Sequence, residues 1–434
     1  MAHINVFGAG LAGCEAAWQA AQRGVEVTLY EMKPRKMTPA HHAEGFAELV
    51  CSNSLRSDRV TNAVGLLKEE LSRMGSLIME AARATQVPAG SALAVDRDKF
   101  SAYITDKIRQ HPLITVVEEE KTSVPDEGIT VVATGPLTSD PLAQWIRDNV
   151  AGEGLHFFDA VAPIVDAESI NMEVAFFASR YNKGDADYIN CPMTREQYDA
   201  FYNALITAEE AQLKDFDKDL KVFEGCMPVE VMAKRGYDTL RYGPLKPVGL
   251  VDDRTGTKSF AVVQLRREDE EGSMYNLVGF QTHLTFPAQK RVFSMIPGLE
   301  NADFLRYGVM HRNTYLPSPE LLGADYAMRT RPDLFFAGQM TGVEGYIEST
   351  GSGFVAGMNA ARRALGLDPV IFPEITMIGA MTHYISHGGL GEFVPMNANF
   401  GIVPSLEHRV KGGKLARYEL YAERSLAWMD AYLK

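Results

Sequence analysis

Two features of the sequence could carry chemistry: a run of closely spaced glycines near the start and a pair of cysteines set among turn-forming residues. Gly8-Ala9-Gly10-Leu11-Ala12-Gly13 follows the apolar Ile4-Asn5-Val6-Phe7 and precedes a small-residue stretch from Cys14 to Arg23. The next apolar run, Val25 to Tyr30, ends at Glu31, 18 positions beyond Gly13. Strand, glycine turn, helix, strand and acidic residue in this order suit a bound pyrophosphate. Gly8 permits the tight turn, Gly10 lets the backbone approach the phosphates at a helix N-terminus, and Gly13 lets helix and strand lie close. Glu31 is placed to accept hydrogen bonds from ribose hydroxyls. The pattern alone fits FAD, NAD or a nucleoside methyl donor.

Cys51 lies in Leu49-Val50-Cys51-Ser52-Asn53-Ser54-Leu55-Arg56, and Cys226 in Phe223-Glu224-Gly225-Cys226-Met227-Pro228. Both are flanked by turn or cap formers, and a cysteine in a Ser/Asn-rich turn before a helix can have its thiolate stabilised by backbone N–H groups and a nearby arginine. The competing reading, a small buried hydrophobe, is the commoner fate of an intracellular cysteine. Cys14, on the helix after the glycine turn, reads as packing, and Cys191, in Asn190-Cys191-Pro192-Met193-Thr194, as structural. Four cysteines without C-x-x-C spacing make neither a disulfide framework nor a zinc site. His383 and His387 stand four apart, but no acidic residue completes a metal motif and the pair reads as structural.

The elements that must position these groups are read from periodicity. Residues 129–135 and 334–338 are buried strands, each closed by a glycine (Gly135, Gly338). Helical patterns run over 66–84, from about 353 to 364, over 374–387 and over 414–433. Residues 194–221 are polar, acidic and helical in pattern, and they open a region without strand-helix alternation that extends to about residue 300. Val131-Val132-Ala133-Thr134-Gly135 and Phe335-Phe336-Ala337-Gly338-Gln339 resemble the later strand-turn motifs of glutathione-reductase-like FAD proteins, with Gln339 where that class usually carries Asp. The fold expected is therefore α/β. A discontinuous FAD-binding Rossmann-like domain, residues 1–185 and 300–434 with C-terminal helices, is interrupted by an inserted α+β domain, residues 186–299, that carries Cys226.

Composition bounds the rest. The chain has 434 residues, 46% hydrophobic and 23% charged, enough for two or three folding units and unlike a disordered chain or a coiled coil. No apolar run approaches the roughly 18 residues of a membrane span, and the N-terminus lacks a basic, apolar leader, so a cytoplasmic protein is expected. A net charge of −13 argues against a generally basic, nucleic-acid-coating protein. Local basic patches remain. Residues 283–331 and 401–434 each hold six Lys or Arg against four Asp or Glu, leaving −17 on the remainder.

Taken together, Gly8 to Ala17, Val50-Cys51-Ser52-Asn53-Ser54, Asn190 to Thr194, Phe223 to Pro228 and Gly342-Val343-Glu344-Gly345-Tyr346 closely resemble the folate- and FAD-dependent tRNA uracil-5-methyltransferases, relatives of the glucose-inhibited division protein A family. The resemblance spans residue 3 to beyond 350 in order. It implies an enzyme in which methylenetetrahydrofolate donates a carbon, reduced FAD and NAD(P)H supply electrons, and the T-loop uridine of tRNA is methylated at C5. Uracil C5 is a poor nucleophile until a thiolate adds at C6, and a base must then remove the C5 proton. Carried over by position, Cys226 is implied to be the nucleophile and Cys51 the base, with His283 stacking on the folate pterin. Gly8, Ala9, Gly10, Leu11, Ala12, Gly13, Glu31, Gly135, Gly338, Gln339 and Gly351 are implied to bind FAD. The inserted domain would then contribute to the folate and RNA site, and the two basic segments would be the RNA face. No metal is expected. The same chemistry on an rRNA uridine, an NAD(P)H-flavin oxidoreductase acting on a small molecule, and an RNA-binding or folding factor with a purely structural FAD are the competing readings.

Overall fold

The computed structural model describes residues 2–38, 40–151, 155–160, 162–182, 185–211, 227–256, 258–268, 272–308, 310–388, 393, 395–408, 410 and 412–434. Four N-terminal strands and one from far down the chain build a five-stranded parallel sheet in the order Leu334–Phe336, Ile129–Val132, His3–Phe7, Glu26–Glu31, Ile114–Glu118. Strands separated by about 200 residues of chain, Ile129–Val132 and Leu334–Phe336, are thus neighbours in register, Val131 opposite Phe335. Ile4, Val6, Val131, Val132 and Phe336 are fully buried, as parallel strands covered on both faces require.

Helices Leu11–Ala21 and Tyr346–Ala364 cross over this sheet with their backbones nearly touching. A Cβ on Gly353 would lie 2.2 Å from the Ala12 carbonyl oxygen, and one on Gly357 2.4 Å from that of Ala16. The second helix begins at Tyr346, seven residues before the start that its composition suggests. Its Ser349-Thr350-Gly351-Ser352 run has low helix propensity, but close packing against the first helix overrides that preference. The expected helix over 66–84 is two helices, Ala63–Arg73 and Leu77–Ala84. Gly75, at φ +79°, turns the chain between them, and Ser76 caps the second by accepting from Met79 N–H.

A second hydrophobic core gathers Val165, Ile189, Cys191, Phe201, Val263, Leu265, Phe280 and Phe293. It lies on an antiparallel six-stranded sheet ordered Phe176–Ala178, Tyr188–Met193, Ala261–Arg267, Met274–Leu277, Ile164–Asp166, Phe304–Arg306. Three of these strands, Ile164–Asp166, Phe176–Ala178 and Phe304–Arg306, fall outside residues 186–299. Their apolar runs are too short to stand out before pairing. Of the region read as helical over 194–221, residues Arg195–Ile206 form a helix closed by a Thr194/Gln197 capping box; residues 212–226 lie outside the described residues.

Buried carboxylates tie the helices together. Glu70 accepts from Met377 N–H (2.7 Å), Ile378 N–H (2.8 Å) and Ser425 Oγ, joining the helix Ala63–Arg73 to Met377–His387 and Gly413–Tyr432. Burial pushes its pKa up to about 7 against those hydrogen bonds. Glu15 does the same for the helix Leu77–Ala84, accepting from Ile78 N–H and Ser76 Oγ, with burial raising its pKa to about 6.

Candidate active site

A cleft opens to solvent at the C-terminal ends of the parallel strands and is bordered by Gly8, Gly10, Glu31, Gly135, Gly338 and Gln339. Open parallel sheets bind ligands at this edge. The glycines are there for different reasons. A Cβ on Gly13 would lie 1.7 Å from the Gly8 carbonyl oxygen, and Gly8 itself has φ +93° with a Cβ 2.7 Å from the Ala133 carbonyl oxygen. Those two residues serve the fold. Gly10 differs: nothing lies within 4 Å of a Cβ placed there, so the space it leaves belongs to the cleft, at the N-terminus of helix Leu11–Ala21.

Glu31 is buried, accepts Ala9 N–H at 2.7 Å and Lys33 N–H at 2.9 Å, and so locks the glycine turn to the end of its own strand. A carboxylate has about four lone-pair sites, which leaves capacity for a ribose hydroxyl. Across the cleft Gly338, at φ +82°, donates its N–H to Ser352 Oγ (2.6 Å), and Gln339 donates its side-chain amide to Glu344 (2.6 Å). Gly351 sits one turn into the helix Tyr346–Ala364, against Leu67, and does not border the cleft.

Cys51 is half-buried beside this cleft, which Val50 lines. The Tyr346 hydroxyl oxygen accepts Cys51 N–H at 2.8 Å and Ser52 N–H at 3.2 Å, and Tyr346 also borders the cleft. Burial and the adjacent Cys51 push the Tyr346 phenol far above its ordinary range. Arg266 donates to Ser52 Oγ (2.6 Å) and Asn53 Oδ1 (3.0 Å), while Asn53 donates to the Val95 and Arg267 carbonyls. Strand Ala261–Arg267 therefore meets the Cys51 loop directly. Cys14 and Cys191 are buried thiols; burial raises the first well above its usual value and the second to about 12.

Cys226 lies outside the described residues. The chain on either side of residues 212–226 is anchored to one stretch: Ala211 N–H donates to the His283 carbonyl (2.8 Å) and Val229 N–H to that of Gln281 (2.7 Å). His283 is 4% exposed and away from the cleft lining, with Nε2 2.7 Å from Glu210 and Nδ1 2.6 Å from Glu230. Burial pulls its pKa down, but the Glu230 carboxylate and then Glu210 outweigh burial and raise it above the usual value. His383 and His387 stack at 4.2 Å, with Glu374 on His383. Among the described residues no cluster of His, Cys, Asp or Glu could hold a metal ion. Nor is any described helix long and apolar enough to cross a membrane.

Several of the cations assigned to an RNA face donate to backbone carbonyls of the protein itself: Arg306 to Val50, Arg329 to Ser386 and Arg424 to Pro404. Lys414 and Arg417 are exposed on the C-terminal helix, against the Tyr418 ring. Arg97, Arg266, Glu268 and Arg306, all at the Cys51 loop, carry no local motif; Tyr346 alone falls in a recognisable run.

Glycine turn, carboxylate lock and strand-end cleft define a Rossmann-like α/β protein built to cradle a dinucleotide. The family model described as glucose inhibited division protein A matches residues 3–368. A protein of Acetivibrio thermocellus named methylenetetrahydrofolate--tRNA-(uracil-5-)-methyltransferase TrmFO is 60% identical over 432 residues, covering 99% of this chain and 98% of the relative. One of that name from Lactobacillus delbrueckii subsp. bulgaricus is 59% identical over 429 residues, with 99% and 98% covered. In structure, Aquifex aeolicus GidA in its form I crystal aligns with TM-score 0.72 at 18% identity, over 99% of this chain and 75% of that one. The chain belongs to the glucose inhibited division protein A family and, within it, to the proteins named methylenetetrahydrofolate--tRNA-(uracil-5-)-methyltransferase TrmFO.

Proposed function

We propose that this protein methylates C5 of a uridine in tRNA, the T-loop uridine, with methylenetetrahydrofolate as carbon donor, FAD as cofactor and NAD(P)H as electron source. The observation that carries the reading is the Tyr346 hydroxyl on Cys51 N–H, which puts a thiol beside a dinucleotide cleft. Relatives bearing the corresponding name at about 60% identity over nearly the whole chain support it.

The residues present fit FAD. Gly10 leaves open space where a pyrophosphate would lie, Glu31 keeps capacity for a ribose, and Gly135, Gly338 and Gln339 face the same cleft. Bound there, FAD supplies the electron pair that turns a methylene carbon into a methyl group. The chain's own groups do the rest. Cys226 adds through its thiolate to uracil C6, which raises electron density at C5; after the carbon has been transferred Cys51 takes the C5 proton, the C5–C6 double bond re-forms and the Cys226 thiolate leaves C6. The resemblance gives His283 to the pterin; with its ring 4% exposed, away from the cleft and set between Glu210 and Glu230, stacking would require that surface to open. We read the parallel sheet and C-terminal helices as a discontinuous FAD-binding domain and the antiparallel sheet as the inserted domain, its core running from Ala162 to Phe304.

The test is incubation with unmodified tRNA, methylenetetrahydrofolate labelled in its methylene carbon, and NAD(P)H, with 5-methyluridine mapped by mass spectrometry. Label at the T-loop uridine is expected. Label confined to rRNA, or methyl groups drawn from S-adenosylmethionine, overturns the assignment; NAD(P)H oxidation without RNA labelling returns the small-molecule oxidoreductase reading.

A further inference from the structure

The loop that carries Cys51 is held largely by side chains remote in sequence, and the two carbonyls just before the cysteine are both held by cations. Arg97, first residue of helix Arg97–Gln110, donates Nη1–H to the Leu49 carbonyl (2.5 Å) and Nε–H to Glu268 (2.5 Å). Arg306, last residue of strand Phe304–Arg306, donates to the Val50 carbonyl. Two separate elements thus grip consecutive peptides, and Tyr346 holds the next two N–H groups.

Among the described residues, three arginines at the loop, Arg97, Arg266 and Arg306, face one buried carboxylate, Glu268. Glu268, 1% exposed, pairs with Arg97 and lies 3.8 Å from Arg266. Among the described residues no carboxylate forms an ion pair with Arg306, which has Glu268 only as a charge neighbour; Arg97 Nη2 and Glu268 Oε1 are both buried without a hydrogen-bond partner. Buried cations in excess of buried anions are costly. Arg306 is held below its ordinary range, by burial first and by repulsion from Arg97 next. Both guanidiniums sit on the peptides immediately before Cys51, close enough for their charge to reach its sulfur. A negative charge on the Cys51 sulfur would offset the excess.

We propose that Arg97 and Arg306 are positioning residues for Cys51, fixing its loop at the cleft and supplying the counter-charge that favours its thiolate. This rests on the role given to Cys51 above for its purpose. Its test needs neither RNA nor folate, so the failure of one leaves the other standing.

The experiment is alkylation of the flavin-bound protein by iodoacetamide as a function of pH, with the Cys51 peptide followed by mass spectrometry. In Arg306→Gln the midpoint of the Cys51 profile should move up by about one pH unit, making alkylation roughly tenfold slower at neutral pH. Arg306→Lys, which keeps the charge, should restore the midpoint. A purely structural clamp would loosen the loop and speed alkylation without moving the midpoint, and that result overturns the proposal. Should Arg306→Gln fail to fold, the unaltered protein decides: a Cys51 midpoint at or above the ordinary thiol value of about 8.5 sinks the idea.

Discussion

The hydroxyl oxygen of Tyr346 accepts the backbone N–H of Cys51 at 2.8 Å, across 295 residues of sequence. Tyr346 is the first residue of the helix that packs on the glycine-turn helix, so the cysteine's place depends on the same helix pair that shapes the nucleotide cradle.

That dependence separates two kinds of glycine. Gly10→Val should fold normally, with unchanged circular dichroism, but purify without flavin, because its side chain meets only the cleft. Gly357→Val, forced against the Ala16 backbone, should lower stability by about 1–3 kcal/mol or more, read in denaturant unfolding. Full flavin content in Gly10→Val would remove the pyrophosphate from the proposed site.

The two cysteines should part company in a trapping experiment. With tRNA carrying 5-fluorouridine at the target, Cys226→Ala should form no covalent adduct, whereas Cys51→Ala should still form it while losing roughly 10²–10⁴ in turnover, the usual worth of one general base. An adduct in Cys226→Ala and none in Cys51→Ala would exchange the roles.

Glu70 sets a pH dependence of stability. Its folded pKa, about 7, lies above the ordinary 4.5. The folded state therefore binds more protons between these values, and stability falls as pH rises through that window. Glu15, raised to about 6, acts in the same direction. Glu70→Gln should flatten the fall of Tm between pH 5 and 8; an unchanged slope would show that Glu70 ionises in the folded protein as it does in the unfolded chain.

Charge reversal at Lys414 and Arg417, both exposed on the C-terminal helix, should weaken tRNA binding and make it less steeply salt-dependent, by up to about one unit of slope for each phosphate that is no longer neutralised. Arg424→Gln should change stability instead, since its guanidinium is spent on the Pro404 carbonyl. Equal binding in the Lys414/Arg417 variant would place the RNA elsewhere.

Much of the cradle was legible in the chain because its determinants are local. Gly8, Gly10, Gly13 and Glu31 act within one strand-helix-strand unit, and period and spacing report such units directly. The Cys51 motif, too, was visible as a run of turn formers. What surrounds Cys51 was not. Arg97, Arg266, Glu268, Arg306 and Tyr346 come from four distant elements, and nothing near any of them in sequence announces a buried cation or a phenol bound to a loop's N–H groups. The six-stranded sheet escaped for the same reason, since strands of three residues gain their stability only from partners up to about 140 residues away. Local backbone preferences are written residue by residue, whereas buried charge and non-local pairing acquire a meaning only when the chain has closed on itself.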